Sequence, residues 1–340
     1  MPLKVYNSLM RDYEIFEPLN PPNVNVYVCG ITPYDETHLG HGRAYLTFDI
    51  IHRYLEYSGY KVNYIQNITD IDDKIIKRAN EQSISIQALT KKYTDSFFEV
   101  MDKLNIKRAD NYPKATEHIN DMIKVIEGLI KKGFAYVVDG DVYFEVAKFK
   151  DYGKLSKRRL DDLKEGARVA IDERKRAPLD FALWKSAKEG EPSWDSPWGK
   201  GRPGWHIECS TMSAKYLGET FDIHGGGLDL IFPHHENEIA QAECFTGKPF
   251  AKYWIHNGFV TVNQEKMSKS LGNFFTLRDI FKKYNPMLIR FYLLSTHYRS
   301  PINFSDKDLE NAKGGLDRIN NAEMIIKEKL EQVTHVKVEI

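Results

Sequence analysis

At 340 residues and 42% apolar content, the chain is long enough for about two domains of ~150 residues with real cores. Forty-eight basic residues balance forty-eight acidic ones, so net charge neither favours nor excludes a nucleic-acid partner and leaves a local basic face open. No run reaches the ~18 apolar residues of a membrane span, and the N-terminus MPLKVYNSLMRDYEIFEP lacks the basic-then-apolar order of a secretory signal, which points to a cytoplasmic protein. In chain order, residues 25–28 read as a short buried strand. From His41 the apolar Ala44, Phe48, Ile51 and Leu55 recur at helical spacing until Ser58-Gly59 ends the run. KVNYIQNIT then resumes as a strand. Strand, loop, helix and strand make one βαβ unit of a parallel sheet, whose ligands collect beyond the carboxyl ends of the strands. Helical patterns follow over 84–104 and 119–130. FAYVVDGDVYFEV reads as a hairpin turning at Asp139-Gly140, a separate and partly antiparallel element. The runs KLSKRRLDDLKEGARV and DERKRAP read as solvated surface, and KEGEPSWDSPWGKGRPG reads as loop. The α/β pattern resumes with a helix WHIECSTMSAKYL, a strand TFDIHGGG, a helix from Pro233 and a strand YWIHNGFVTV. From Leu277 the pattern is helical. The middle of the chain therefore reads as an insertion between two halves of one sheet.

Three stretches carry candidate chemistry. In YVCGITPYDETHLGHGR, His38 and His41 are spaced to share one face of a helix start, and unpaired N–H groups at such a start seat phosphate. Two readings are open there: an anion cradle, or histidines that merely cap the helix beside a structural Cys29. In HGGGLDLIFPHHENEIAQAECF, His234 and Glu238 lie four residues apart on one helix face, which is ligand spacing. With Cys29 and Cys209 they form a thiol, imidazole and carboxylate set of the kind zinc takes, provided the fold brings them together over the carboxyl edge of the sheet. Three scattered cysteines suit a reducing compartment rather than a disulfide framework, and Cys244 reads as a core residue. QEKMSKSLGN is a polar, cationic loop after a strand, suited to charge that builds on a phosphate in a transition state.

HLGH at 38–41 and KMSKS at 266–270 resemble the two signatures of the class I aminoacyl-tRNA synthetases. CGITPYDETHLGHGR, NITDIDDKII, GRPGWHIECSTM and FDIHGGGLDLIFPHHENEIAQAE are similar to the cysteine-specific members of that family, and the resemblance runs from about residue 3 to about 320. Leu39 stands where isoleucine is commoner. The resemblance implies an α/β fold: a class I synthetase Rossmann-like parallel sheet split by an α+β connective insertion and followed by a helical region. It assigns 1–110 and 203–276 to the two halves of the nucleotide-binding catalytic domain, 111–202 to the insertion, and 277–340 to a stem-contact region that starts a helical bundle. Members of the family continue through that bundle into a small anticodon-binding domain, so the chain resembles a truncated form. The resemblance further implies L-cysteine, ATP and tRNA(Cys) as partners, one Zn²⁺ held by Cys29, Cys209, His234 and Glu238, and Mg²⁺ with the ATP. It places His38, His41, Lys266 and Lys269 in catalysis, Trp205 and His224 in the amino-acid pocket, and Gly225, Gly226, Gly227 and Asp229 beside the adenosine. A monomer is the expected state. Two other readings share the motifs: a ligase that delivers cysteine to an amino sugar, and a non-catalytic zinc-containing paralogue that serves as a binding module.

Overall fold

A computed structural model of the chain describes residues 2–158, 174–262, 265–266 and 275–334. The elements run β1 (Lys4–Asn7), β2 (Asp12–Ile15), β3 (Asn23–Ile31), α1 (Leu39–Tyr57), β4 (Lys61–Ile68), α2 (Asp73–Gln82), α3 (Ile86–Lys103) and α4 (Ile119–Lys131). There follow β5 (Ala135–Val138), β6 (Asp141–Phe144), β7 (Phe181–Ser186), β8 (Gly201–Pro203), α5 (Trp205–Leu217), β9 (Phe221–Gly227), α6 (Glu236–Thr246) and β10 (Ala251–Asn257). The remainder comprises β11 (Val260–Val262), β12 (Glu265–Lys266), α7 (Leu277–Lys283), α8 (Pro286–Leu294), β13 (Ile302–Phe304) and α9 (Asp306–Thr334). The chain divides into two compact units. The first is Met1–Asp35, Phe48–Phe97 and Arg108–Asn257; the second is Glu36–Thr47, Phe98–Lys107 and Gly258–Ile340.

The first unit is built on a parallel four-stranded sheet in the order β10-β9-β3-β4. Parallel strands are covered on both faces and so read as continuous apolar runs. In β3, Val24, Val26, Tyr27 and Val28 are all buried. The carboxylate of Asp222, on β9, accepts the backbone N–H groups of Leu19 and Asn25 at 2.6 and 2.7 Å, which ties the start of β3 to its neighbour. Strands β3 and β4 precede, and β9 and β10 follow, an antiparallel sheet in the order β5-β6-β7-β8. Its hairpin turns at Asp139-Gly140, with φ of 49° and 85°, the paired positive values that a two-residue turn of matching twist requires.

Strands β7 and β8 fall where the sequence suggested only loop and no element. Gly201–Pro203 is an edge strand too short and too rich in Gly and Pro to carry a pattern, and Phe181–Ser186 supplies its partner through Lys185↔Arg202. Trp184, on β7, is fully buried with Val142, Phe144, Phe181 and Leu183 of the sheet, Met122, Ile126 and Leu129 of α4, and Ile207 and Ala240 of α5 and α6. The antiparallel sheet thus shares a core with the helices that follow it in sequence. We expect Trp184→Ala to destabilise the chain by about 3–5 kcal/mol through lost burial and a large cavity. Chemical denaturation measures this, and a loss below about 1 kcal/mol would contradict the packing described.

In the second unit, β11 pairs with β12 antiparallel and with β13 parallel. The expected continuous strand YWIHNGFVTV is interrupted: β10 ends at Asn257 and β11 starts at Val260. Gly258 explains the break, because a Cβ there would lie 2.5 Å from the carbonyl oxygen of Ser300. Strand β13 also interrupts the expected helical run after Leu277: α8 stops at Leu294, and the short INF segment is a strand because it pairs with β11. The first turns of α1, through Thr47, belong to this unit. Among the described residues no helix is long and apolar enough to cross a membrane.

Candidate metal centre and nucleotide signature

Cys29 lies near the carboxyl end of β3, where that strand draws very close to β4. The N–H of Gly30 donates to Asn67 Oδ1 at 2.8 Å, and a Cβ on Gly30 would stand 1.5 Å from the Asn67 carbonyl oxygen, so only glycine fits beside the cysteine. Cys209 comes from α5. His234 comes from the turn Ile231–His235, kinked at the extended Phe232, that leads into α6, and Glu238 from the first turn of α6. The Cys29 sulfur is 3.9 Å from that of Cys209 and 3.5 Å from Glu238 Oε1, and His234 Nε2 is 3.0 Å from the same carboxylate oxygen. One donor atom from each of the four residues lies within 4.8 Å of every other. Glu238 is 0% exposed and Cys209 2%.

These residues fit a metal. A tetrahedral ion with bonds of about 2.0–2.3 Å separates its ligand atoms by about 3.3–3.8 Å, close to the spacing the side chains already hold. A carboxylate, two thiols and an imidazole packed together away from water are costly unless paired or coordinated. The charges of two of the donors, Cys209 and Glu238, agree with that use. The thiol of Cys29, hydrogen-bonded to Cys209, holds the latter down to about 6 against the opposing effect of burial, toward the thiolate that a metal takes. Burial pushes Cys29 itself up. Burial acts to raise Glu238, but the imidazoles of His224 and His234 outweigh it and keep the carboxylate ionised. For His234 burial is likewise outweighed, by Glu238 and Cys209, and its value is raised to about 10.

A ring of aromatic and imidazole groups surrounds these four. His224, on β9, is fully buried, reaches Glu238 Oε2 at 2.7 Å through Nε2 and stacks on Trp254 with centroids 4.4 Å apart. Trp205 stacks on His234 at 4.2 Å and is itself 39% exposed. Three further histidines were not singled out in the sequence. His235 Nε2 is 3.3 Å from the Cys29 sulfur, its Nδ1 is 2.8 Å from His256 Nε2, and His256 Nδ1 is 2.8 Å from Ser8 Oγ. His206 Nδ1 is 2.8 Å from His234 Nδ1. Burial pushes His206 and His235 well below the ordinary imidazole range and His256 down to about 3, so all three are neutral. Cys29, His224, His235 and Glu238 make a second, overlapping donor set. A signal for His235 was present, since it stands i,i+3 from Glu238 and that spacing serves as well as i,i+4. His256 had none, because its place depends on the register of β10 against β9, His256↔Gly226.

Gly225 and Gly226 have packing reasons of their own. A Cβ at 225 would lie 2.2 Å from the Phe48 ring and one at 226 would lie 2.9 Å from His235 Cε1, so the bare strand seats both rings. Gly227 ends β9, and Asp229 is exposed in the short turn after it. Cys244 is buried in the core of the first unit, as expected for a plain core thiol.

The HLGH segment belongs to the second unit. The half-buried rings of His38 and His41 stack with centroids 3.7 Å apart across the start of α1. Leu39 between them is fully buried, so its apolar side chain anchors the turn. Lys266 lies on β12, where only its backbone is described, and Lys269 lies outside the described residues.

Residues 15–314 match the family described as tRNA synthetases class I (C) catalytic domain. The chain is 60% identical over 326 residues to a protein of Carboxydothermus hydrogenoformans named cysteine--tRNA ligase, covering 96% of this chain and 70% of that one. It is 58% identical over 335 residues to the cysteine--tRNA ligase of Thermodesulfovibrio yellowstonii, covering 97% and 69%. Among solved structures, methionyl-tRNA synthetase of Mycobacterium tuberculosis in complex with methionyl-adenylate superposes with a TM-score of 0.67 over 85% of this chain and 67% of the other, at 17% identity. That likeness speaks to the fold alone.

Proposed function

The chain belongs to the class I tRNA synthetase family of the cysteine--tRNA ligases, and from that premise we propose that it activates L-cysteine with ATP and transfers it to tRNA(Cys) in the cytoplasm. The observation that carries the reading is the buried constellation of Cys29, Cys209, His234 and Glu238. We assign these four as ligands of one Zn²⁺, which when bound supplies a soft Lewis acid that takes the substrate side chain as a thiolate. A pocket that must separate cysteine from serine or alanine gains only about 1–3 kcal/mol from shape. A donor set that favours a soft thiolate gives a distinction neither rival can copy.

The remaining assignments follow the chemistry of the reaction. Trp205 and His224 wall the amino-acid pocket, and His224 also orients the Glu238 carboxylate through their 2.7 Å contact. Gly225, Gly226, Gly227 and Asp229 lie to the adenosine side. The substrate carboxylate attacks the α-phosphate of ATP and pyrophosphate leaves, so no protein nucleophile is needed. His38 and His41 hydrogen-bond the phosphates, and Lys266 and Lys269 oppose the negative charge that grows on them. Mg²⁺ enters with the nucleotide as its counter-ion. The ribose hydroxyl at the tRNA terminus then attacks the activated carbonyl. In this scheme 1–110 and 203–276 are the two halves of the catalytic domain, 111–202 is the connective insertion and 277–340 is the stem-contact region.

Cysteine-dependent exchange of pyrophosphate into ATP, followed by charging of tRNA(Cys), tests the proposal. We expect exchange with cysteine, at least about a hundredfold less with serine, and transfer to tRNA. Absence of exchange in metal-replete protein would overturn the reaction, and consumption of cysteine with an amino sugar but not with tRNA would overturn the acceptor.

A further inference from the structure

The arginine that closes the segment HLGHGR has no part in the reaction described above, yet it is among the largest fully buried side chains of the chain. Its guanidinium donates from Nη1 to the carbonyl of Leu293, and from Nη2 to the carbonyls of Thr296 at 3.1 Å and His297 at 2.9 Å. Those carbonyls lie at and beyond the carboxyl end of α8, where the aligned peptide dipoles favour a cation. Burial lowers the affinity of Arg43 for its proton. An apolar side chain would fill the same space without that desolvation, so the guanidinium is there for what its planar fork can hold.

The segment it holds continues directly into the lysine-bearing sheet. The Gly258 N–H donates to the Tyr298 carbonyl at 2.8 Å, and the Ile302 N–H to that of Phe259 at 3.0 Å. Strand β13 then carries β11 in parallel register, Val260↔Ile302 through Val262↔Phe304, and β11 carries β12 through Thr261↔Lys266. From Arg43 to the backbone of Lys266 the link runs through hydrogen bonds joined by the short covalent steps 297–298 and 258–260, all within the second unit. On the far side of the lysine motif, the histidine signature is tied by its backbone. Leu277 N–H donates to the Thr37 carbonyl at 2.8 Å, Leu39 N–H to that of Phe275 at 3.4 Å, and Arg278 pairs with Glu36 at 3.3 Å. A backbone tie works with any side chain. The Arg43 tie requires several N–H donors spread in one plane, which a lysine ammonium does not offer.

We propose that Arg43 is a positioning residue that sets the lysine-bearing hairpin β11–β12 relative to His38 and His41 by gripping the 293–297 carbonyls. The inference rests on the proposed reaction, in which the two signatures act on the same phosphates. Arg43→Met, which keeps the volume apolar, and Arg43→Lys, which keeps the charge, test it by two measurements. The first is backbone amide hydrogen exchange at 258–262 and 298–304. The second is the kinetics of cysteine-dependent pyrophosphate exchange, expressed per active site counted by adenylate burst.

We expect amide exchange in those segments to speed up roughly tenfold in Arg43→Met while β3 and β9 are unchanged. The kcat per active site should fall at least about tenfold with KM for cysteine within about twofold of the native chain, and Arg43→Lys should recover part of both. Unchanged kcat per active site in Arg43→Met would overturn the proposal, as would a lost kcat with unaltered amide protection at 258–262. If Arg43→Met does not fold, Arg43→Lys and Arg43→Gln are judged by the same two measurements. A native chain without pyrophosphate exchange would instead refute the assigned reaction, leaving the amide measurement to decide the mechanical link.

Discussion

Cys209→Ser and His234→Ala should each raise the Michaelis constant for cysteine by about a hundredfold or more and leave that for ATP within about twofold. The magnitude follows from what remains after the change. Replacing groups that merely orient a ligand already costs 10–100-fold in metal affinity, and these two residues are proposed to be ligands themselves. Without the soft centre, preference for cysteine over serine rests on shape, which yields only about 10–200-fold. The effect on ATP is small because the groups proposed to hold its phosphates, His38 and His41, are not among the donors of the thiol cluster. Metal content, measured on freshly prepared protein, should fall in parallel. Cys244→Ser is the control: that thiol sits in the core and away from both donor sets, so it should leave metal content and both constants near normal. Equal losses for cysteine and ATP would refute the division of labour.

Lys269→Ala should lower kcat for adenylate formation by roughly a hundredfold while both Michaelis constants change little. A cation placed to meet charge that exists only in the transition state contributes nothing to holding ground-state substrates, so its loss appears in kcat. Lys269→Arg should retain the charge but not the compact ammonium geometry, and should fall between the two. The measurement is pyrophosphate exchange at saturating cysteine and ATP. A raised KM for ATP with unchanged kcat would assign Lys269 to ground-state nucleotide binding and remove it from the chemical step.

The parts of the fold legible in the sequence are those whose signals are local. Phe48, Ile51 and Leu55 mark α1 by their spacing, Asp139-Gly140 marks a turn by its backbone preference, and the apolar run of β3 marks a buried strand. Strands β7, β8 and β13 left no such mark. Each is six residues or fewer, and each is a strand because of its partner rather than its own composition. The break at Gly258 is of the same kind. A glycine in an apolar run is ambiguous until the Ser300 carbonyl is seen where its Cβ would be.

The site divides along the same line. His38, His41, Cys29, Cys209, His234 and Glu238 could be chosen from the sequence because their residue types and spacings, together with the resemblance of whole blocks, limit the chemistry to metal and phosphate. The sequence by itself therefore determined the family and the reaction class. Only the tertiary structure decided that a cysteine on β3, one on α5 and a His–Glu pair at the head of α6 come within 4.8 Å of each other. It alone decided that His206, His235 and His256 complete the surroundings, and that Arg43 reaches carbonyls some 250 residues away. The physical reason is range. Propensity and periodicity act over a few residues, whereas a coordination sphere or a hydrogen-bonded grip depends on strand register and on helices meeting across a shared core, which no single segment encodes.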